Sequence, residues 1–327
     1  MNRAVVDWIF LALVSVGVAV AALNPGLGEV GGTVLSRLTT GFGFMISVSS
    51  IGLVVLLSAL EHFFPARDDN RGFSRGIVFD ALYLVVQLPI VAVLVALLAT
   101  PVATTLQELL PFLVVDSTRS LPMLVVLVLG VLITDFTLFV SHVVRHKVPF
   151  LWRFHMIHHS QKRLNLFSAS RDHPFDSLME TFIRLLPLAF LFPTITENAQ
   201  ALVLYGLGVS WHIRFSHTNT KTNMGPLRYI LVTPQSHRIH HSLEEHHWNS
   251  NYGNLLAWDR LFGMQHEDVT SYPPTGINDN NFPEPESLSP IDFAKAYIGQ
   301  LRFPFDAEAV SRATAARPAE EQHDLAA

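Results

Sequence analysis

The chain has 327 residues, half of them hydrophobic and only 15% charged, with a positive mean hydropathy; it is too apolar for an ordinary soluble enzyme of this length. The net charge of −5 is small and the basic residues are dispersed, so there is no nucleic-acid footprint. The absence of cysteine excludes disulfides, thiolate-held zinc, cysteine-held iron–sulfur clusters and a cysteine nucleophile, which leaves nitrogen and oxygen to hold any metal.

The first apolar run, Ala4 to Leu23, is long enough to span a bilayer and lacks a convincing small-residue cleavage site, so it reads as a retained transmembrane helix. Three more spans follow at about residues 42–60, 77–99 and 121–141, giving an all-α, polytopic membrane protein with four transmembrane helices in residues 1–141. The loop from Phe63 to Gly76 carries Arg67, Arg71 and Arg75, and the segment after the fourth span carries Arg145, Lys147, Arg153, Lys162 and Arg163. The opposite loops carry only Arg37 and Arg119, so the positive-inside rule puts the N-terminus and the region after residue 142 on the cytoplasmic side. Lysine is much rarer than arginine and there is no ER-type retrieval signal, which points to a bacterial inner membrane.

Between Asn165 and Thr196 an apolar stretch is interrupted by Arg184, Pro187 and Pro193, the pattern of a re-entrant or interfacial helix. Another helix is expected from Asn198, as N-cap, to His217. Residues 142–265 follow the fourth span and carry most of the histidines. Residues 266–305 read as a turn-rich segment followed by an amphipathic helix opened by Ser289 and Pro290, with Phe293, Ala294, Tyr297, Ile298 and Leu301 on one face. Residues 306–327 are polar and alanine-rich and read as a disordered tail.

Histidine carries the chemistry. His142 and His146 are spaced i, i+4; His155, His158 and His159 are spaced i, i+3, i+4; and His237, His240 and His241 repeat that HxxHH spacing. On helices these spacings bring imidazoles onto one face. A random HxxHH is expected only roughly 0.04 times in a chain of this histidine content, so two of them are not accidental. Single histidines such as His62, His266 and His323 read as ordinary core or surface residues. Eight clustered imidazoles exceed the ligands of one tetrahedral ion and favour a dinuclear centre, while imidazole alone does not distinguish iron, zinc, copper and nickel. Asp135 lies two turns before His142 on the same face and is expected to support a metal-bound ring; Asp80, at the start of the third span, is a second such carboxylate.

The motifs run in a recognisable order: Asp135-Phe136, the HxxxH from His142 to His146, LWRFHMIHHS at 151–160, RDHP at 171–174, HTN at 217–219, PQSHRIHHS at 234–242, NYGN at 251–254 and WDRLFG at 258–263. Over about residues 125 to 265 this resembles the fatty acid hydroxylase/sterol desaturase superfamily of integral-membrane di-iron enzymes. The resemblance implies transmembrane helices capped by a cytoplasmic helical domain, two histidine-held irons (with zinc as a possible substitute in purified protein), and O2-dependent hydroxylation or desaturation of a lipid. His142, His146, His155, His158, His159, His237, His240 and His241 fall on its metal-binding motif, and His217 matches a further histidine. Val143 and Ser141 depart from residues common around the first histidine, and Ile213 stands where an HxxxH ending at His217 would begin. The neighbouring His212 joins the shell only if its helix is distorted, and His173 is expected to be substrate-side or structural. A zinc lipid hydrolase would need a general base of the HExxH kind, which the clusters lack, and a metal transporter would place its histidines along a path through the spans. With no cysteine and no GxGxxG after a strand, electrons must come from a separate ferredoxin, or cytochrome, and reductase docking near Arg145, Lys147, Arg153, Lys162 and Arg163.

Overall fold

The computed structural model describes residues 48–70, 74–193, 199–222, 224–268 and 270–315. The expected first span, the start of the second, the N-cap Asn198 and residues 316–327 lie outside the described residues. Eleven α-helices are found among those described: α1 (Val48–Phe63), α2 (Arg75–Leu94), α3 (Thr100–Leu109), α4 (Met123–Lys147), α5 (Pro149–His159), α6 (Pro174–Leu191), α7 (Ala199–Ser216), α8 (Pro234–His240), α9 (Leu256–Leu261), α10 (Pro290–Arg302) and α11 (Ala307–Thr314). No strand forms among these residues; the only sheet-like pairings are isolated bridges such as Leu231 to Leu255 and Ser242 to Thr275.

α4 is the axis of the molecule. Its 25 residues pack against α5, α6 and α7, and among the described residues it is the helix long and apolar enough to cross a membrane. Its two faces differ sharply: Val126, Gly130, Thr134, Asp135, Leu138 and Phe139 are buried, whereas Leu124 is 72% and Val128 51% exposed. An open face of leucine and valine is stable against lipid and costly against water. Towards its start, Val126 packs with Leu188 and Phe192 at the far end of α6.

Proline sets where the helices near the site begin. Val148 precedes Pro149, and a residue before proline is driven out of the helical region; Val148 is extended (φ −95°, ψ 112°). α4 therefore ends at Lys147 and α5 restarts at once, an elbow between the first two histidine clusters. Pro174, Pro234 and Pro290 likewise occupy the first turns of α6, α8 and α10. Thr233 and Ser236 close a reciprocal capping box on α8, which is short and needs one. As expected, Ser289 caps α10, and Phe293 and Ala296 pack on Phe79 and Tyr83 of α2.

The expected disordered tail is corrected in part. Beyond Phe305 the chain continues as α11, whose first amides are capped by the Asp306 carboxylate. Ala309 and Ala313 are buried in a core with Met156, Ile157, Ile277, Phe282 and Phe303. The small side chains that make this stretch look featureless are what let it lie flat on α5. Ala309→Asp should bury an unpaired carboxylate there and detach α11. Limited proteolysis of the detergent-solubilised protein should then cut between Asp306 and Ala315 at least about tenfold faster than in the unaltered chain.

Candidate metal centre

Nine histidines from four parts of the chain meet where α4 ends. His142 and His146 come from the last turns of α4, His155, His158 and His159 from α5, His217 from just beyond α7, and His237, His240 and His241 from α8 and its C-cap. They divide into two groups, His142, His146, His155, His159 and His240 in one and His158, His217, His237 and His241 in the other, each with ligand nitrogens within 4.8 Å of one another. The groups adjoin: the His159 and His241 rings stack at 4.2 Å, and His158 lies 4.7 Å from His241. The structure thus brings together every histidine of the three spaced clusters, with His217 as the ninth.

Hydrogen bonding fixes which nitrogen faces inward. His142 Nδ1 lies 2.7 Å from the Tyr252 carbonyl, His240 Nδ1 2.7 Å from the Ser250 carbonyl, and His217 Nδ1 2.7 Å from the Ile213 carbonyl. A carbonyl can only accept, so each Nδ1 carries the proton and each Nε2 presents a bare lone pair. Yet His240 Nε2 is 3.1 Å from His142 Nε2. Two bare lone pairs cannot hydrogen-bond to each other. His146, His155 and His159 also bury Nε2 atoms with no protein partner. Buried acceptors arranged in this way fit a cation, and the donor set of nine imidazoles fits two transition-metal ions.

Burial, reinforced by neighbouring rings, pushes His159, His237 and His241 well below the ordinary imidazole range and His240 down to about 3. These rings are therefore neutral and able to ligate at physiological pH. His158 differs: burial alone would lower it, but the Asp172 carboxylate 3.2 Å from its Nδ1 outweighs that and raises it. His155 Nδ1 is held 2.9 Å from Asp176, a carboxylate that Arg145 also grips at 3.1 Å. Both aspartates stand in RDHPFD, a stretch read from the sequence only through its histidine. The available signal was the pair of carboxylates flanking the α6 N-terminus, four residues apart.

Several expected roles are corrected. Asp80 touches no cluster histidine; its oxygens accept from Arg171, Asn165 and Ser168, a buried lock between α2 and the loop ahead of α6. Asp135 accepts from the Leu255 amide and the Trp258 indole, so it anchors the loop whose Tyr252 carbonyl orients His142 and does not itself hold a ring. His212 is outside both groups, with Nε2 3.2 Å from the Asn254 carbonyl. His173 is structural: it caps α6 through Phe175 N, and its Nε2 lies 3.3 Å from the Leu301 carbonyl. Arg145 is 4% exposed and paired to Asp176, so of the basic residues expected to steer a partner, Lys147, Lys162 and Arg163 are the exposed ones.

One cavity opens on the centre and a second lies along α4. The first, of about 620 Å³, is lined by His146, His159 and His240 and walled by Trp152, Leu243, Trp248, Ile277 and Val310. The other, of about 450 Å³, is an apolar cleft between α4 and α7, lined by Leu127, Val131, Leu138 and Val209, with Asp135 and His212 among its few polar groups.

Asp176→Asn should weaken metal retention by about 10-fold to 100-fold, because the carboxylate orienting His155 is lost, while Asp135→Asn should have the smaller effect; metal content by mass spectrometry after dialysis against a chelator ranks the two. Acid should also act on the metal-free chain. With His240 near 3 against an ordinary imidazole value of about 6.5, the folded state binds fewer protons than the unfolded one in that window, so stability is present above about pH 6.5 and lost as pH falls through it. A denaturation midpoint that stays level from pH 7 to 5 in the metal-free protein would contradict this.

Residues 127–264 match the fatty acid hydroxylase family. The chain is 34% identical to the ornithine lipid hydroxylase OlsE of Rhizobium tropici over 191 residues, covering 56% of this chain and 51% of that protein. It is 35% identical to the alkylglycerol monooxygenase of Xenopus tropicalis and 33% to that of Homo sapiens, each over 132 residues, 39% of this chain and 28% of theirs. The chain therefore spans about half or less of the length of the curated relatives it matches. No solved structure gives a significant match. The matched segment begins in α4, closes after α9 and contains all nine converging histidines, so the similarity to the fatty acid hydroxylase family falls on the candidate metal centre.

Proposed function

We propose that the chain is a multi-pass membrane oxygenase that hydroxylates a lipid at a di-iron centre held by His142, His146, His155, His158, His159, His217, His237, His240 and His241. The observation that carries this reading is the facing of two bare Nε2 atoms, His142 and His240, at 3.1 Å beside the unpartnered buried Nε2 atoms of His146, His155 and His159, an arrangement that fits cations. Two irons bound there would supply the redox chemistry that reduces O2, placing one oxygen atom in a C–H bond and releasing the other as water at the expense of two electrons and two protons.

The protein's part is to orient, to exclude water and to admit the substrate. Carbonyls of Ile213, Ser250 and Tyr252 and the carboxylates of Asp172 and Asp176 fix the ring tautomers, so the ligand set does not have to reorganise on binding. Trp152, Trp248, Ile277 and Val310 line an apolar wall opposite His146, His159 and His240, which suits the reacting carbon of a lipid. The cleft along α4 is shaped for the rest of an alkyl chain. The named relatives act on an ornithine lipid and on alkylglycerols, both polar lipids bearing chains, and a polar lipid of that kind is favoured over a sterol. The centre lies on the cytoplasmic side, by the arginine-rich loops, of a bacterial inner membrane. Without cysteine the chain holds no iron–sulfur cluster, so a separate ferredoxin or cytochrome with its reductase delivers the electrons.

Lipid mass spectrometry of membranes made with and without the chain should show a polar lipid heavier by one oxygen atom, labelled when isotopic O2 is supplied. The purified protein with lipid, O2 and NAD(P)H should turn over only after a ferredoxin and its reductase are added. A product formed without O2 would eliminate the oxygenase reading, and sustained turnover by the chain alone would eliminate the separate donor.

A further inference from the structure

A third group of histidines lies apart from the nine. His246 and His247 sit in the single helical turn Glu245–His247, and His266 follows α9; the three offer ligand nitrogens within 4.8 Å of one another. Ring centroids are 4.0 Å apart for His246 and His247, 4.7 Å for His247 and His266, and 6.0 Å for His246 and His266. The Glu244 carboxylate adds an oxygen 3.6 Å from His246 Nε2 and 3.9 Å from His247 Nδ1. None of these four residues contributes to the two groups described above.

We propose that His246, His247 and His266 bind one zinc-class divalent ion, with the Glu244 side chain near enough to His246 to swing in as a fourth ligand, and that the ion staples the loop after α8 to the segment after α9. Three imidazoles and one carboxylate are a ligand set zinc accepts, and bonds of about 2.1 Å in a tetrahedron set ligand atoms about 3.4 Å apart. Nitrogens already within 4.8 Å reach that spacing by small side-chain rotations, and His246, with 65% of its side chain exposed, is free to make them. His247, the buried member, is oriented in advance: its Nδ1 lies 2.9 Å from Ser242 Oγ, and donating there leaves Nε2 bare for the ion. One bond must open. The Asp268 amide donates to His266 Nδ1 at 3.1 Å, and a ring ligating through Nε2 carries its proton on Nδ1.

The staple has something to secure. Between its two ends, Ser250 and Tyr252 present the carbonyls that orient His240 and His142. The same loop holds Asn249 and Asn251 in left-handed backbone (φ 64° and 56°), which asparagine tolerates but does not prefer. At present the loop is tied across by Asn251 N to the Met264 carbonyl and His266 N to Asn251 Oδ1, both 3.0 Å. An ion bridging residues 246, 247 and 266 would lock that tie and with it the two carbonyls.

The test uses the full chain in detergent, loaded with Zn2+ alone, desalted and assayed for zinc per chain by mass spectrometry. Zinc in the nine-histidine centre is common to all samples, so the difference between proteins reports the third site. The unaltered chain should retain one equivalent more than the double variant His246→Ala/His266→Ala. His246→Ala alone, at an exposed position that the fold does not depend on, should weaken that equivalent at least about tenfold. Amide hydrogen exchange over residues 242–252 should slow on adding Zn2+ to the unaltered chain and not to either variant. Equal zinc counts in all three proteins, the result expected of rings that merely stack, would overturn the proposal, as would exchange that slows equally in the variants.

Discussion

The fold depends on one constraint: nine imidazoles are packed together, and His142 and His240 point unprotonated nitrogens at each other. The constraint is imposed from behind. Once the Tyr252 and Ser250 carbonyls accept from Nδ1 of His142 and His240, the opposite nitrogens of these two rings offer each other no donor. A cluster of this kind is unfavourable for the protein alone, since buried acceptors without partners cost about 1–3 kcal/mol each. The cost is offset when a cation arrives, which ties metal binding to the stability of the whole cap.

Much of the remaining architecture delivers those outer partners. The elbow at Val148-Pro149 turns α5 back so that its histidines meet those of α4. Asp259 accepts from the amides of Tyr252 and Gly253, and Asp135 from Leu255 and Trp258, so two carboxylates hold the strip of backbone that touches His142. Gly253 is required where this strip turns, because a Cβ there would come within 2.6 Å of the Leu255 carbonyl oxygen and 3.0 Å of Asp259 Oδ2. Arg145 serves the same end from the other side by gripping the Asp176 that orients His155.

The histidine set was legible in the sequence because i, i+3 and i, i+4 spacing is a local property that any helix converts into a shared face. The supporting shell was less legible, because it is made of contacts at long sequence separation: Asp172 and Asp176 reach back to α5, and backbone carbonyls of residues 250 and 252 carry no side-chain signature. Asp135 and Asp80 are expected from helical phase to support metal-bound rings, yet phase does not name partners: Asp135 holds a loop amide and an indole, and Asp80 holds Arg171, Asn165 and Ser168. His266 illustrates the same limit, since alone it has no pattern and only the chain reversal through α9 brings it to His246 and His247. α11 was hidden for a different reason: a helix that buries alanine has too little apolar signal to be distinguished from a polar tail.

The position of the centre along α4 follows from length. Twenty-five residues rise about 37 Å, more than the roughly 30 Å of a hydrocarbon core, so a helix whose apolar face begins near Met123 must leave the lipid within its last two turns. Those turns carry His142, Arg145 and His146, whereas the polar Thr134 and Asp135 earlier in the helix are buried against the protein. Metal ligands placed earlier would be desolvated without backbone partners, and ligands placed later would lie beyond reach of an alkyl chain held in the bilayer. On the membrane reading proposed above, α4 acts as a ruler: its open apolar side sets the depth of the protein, and its last turns set the centre where hydrocarbon ends.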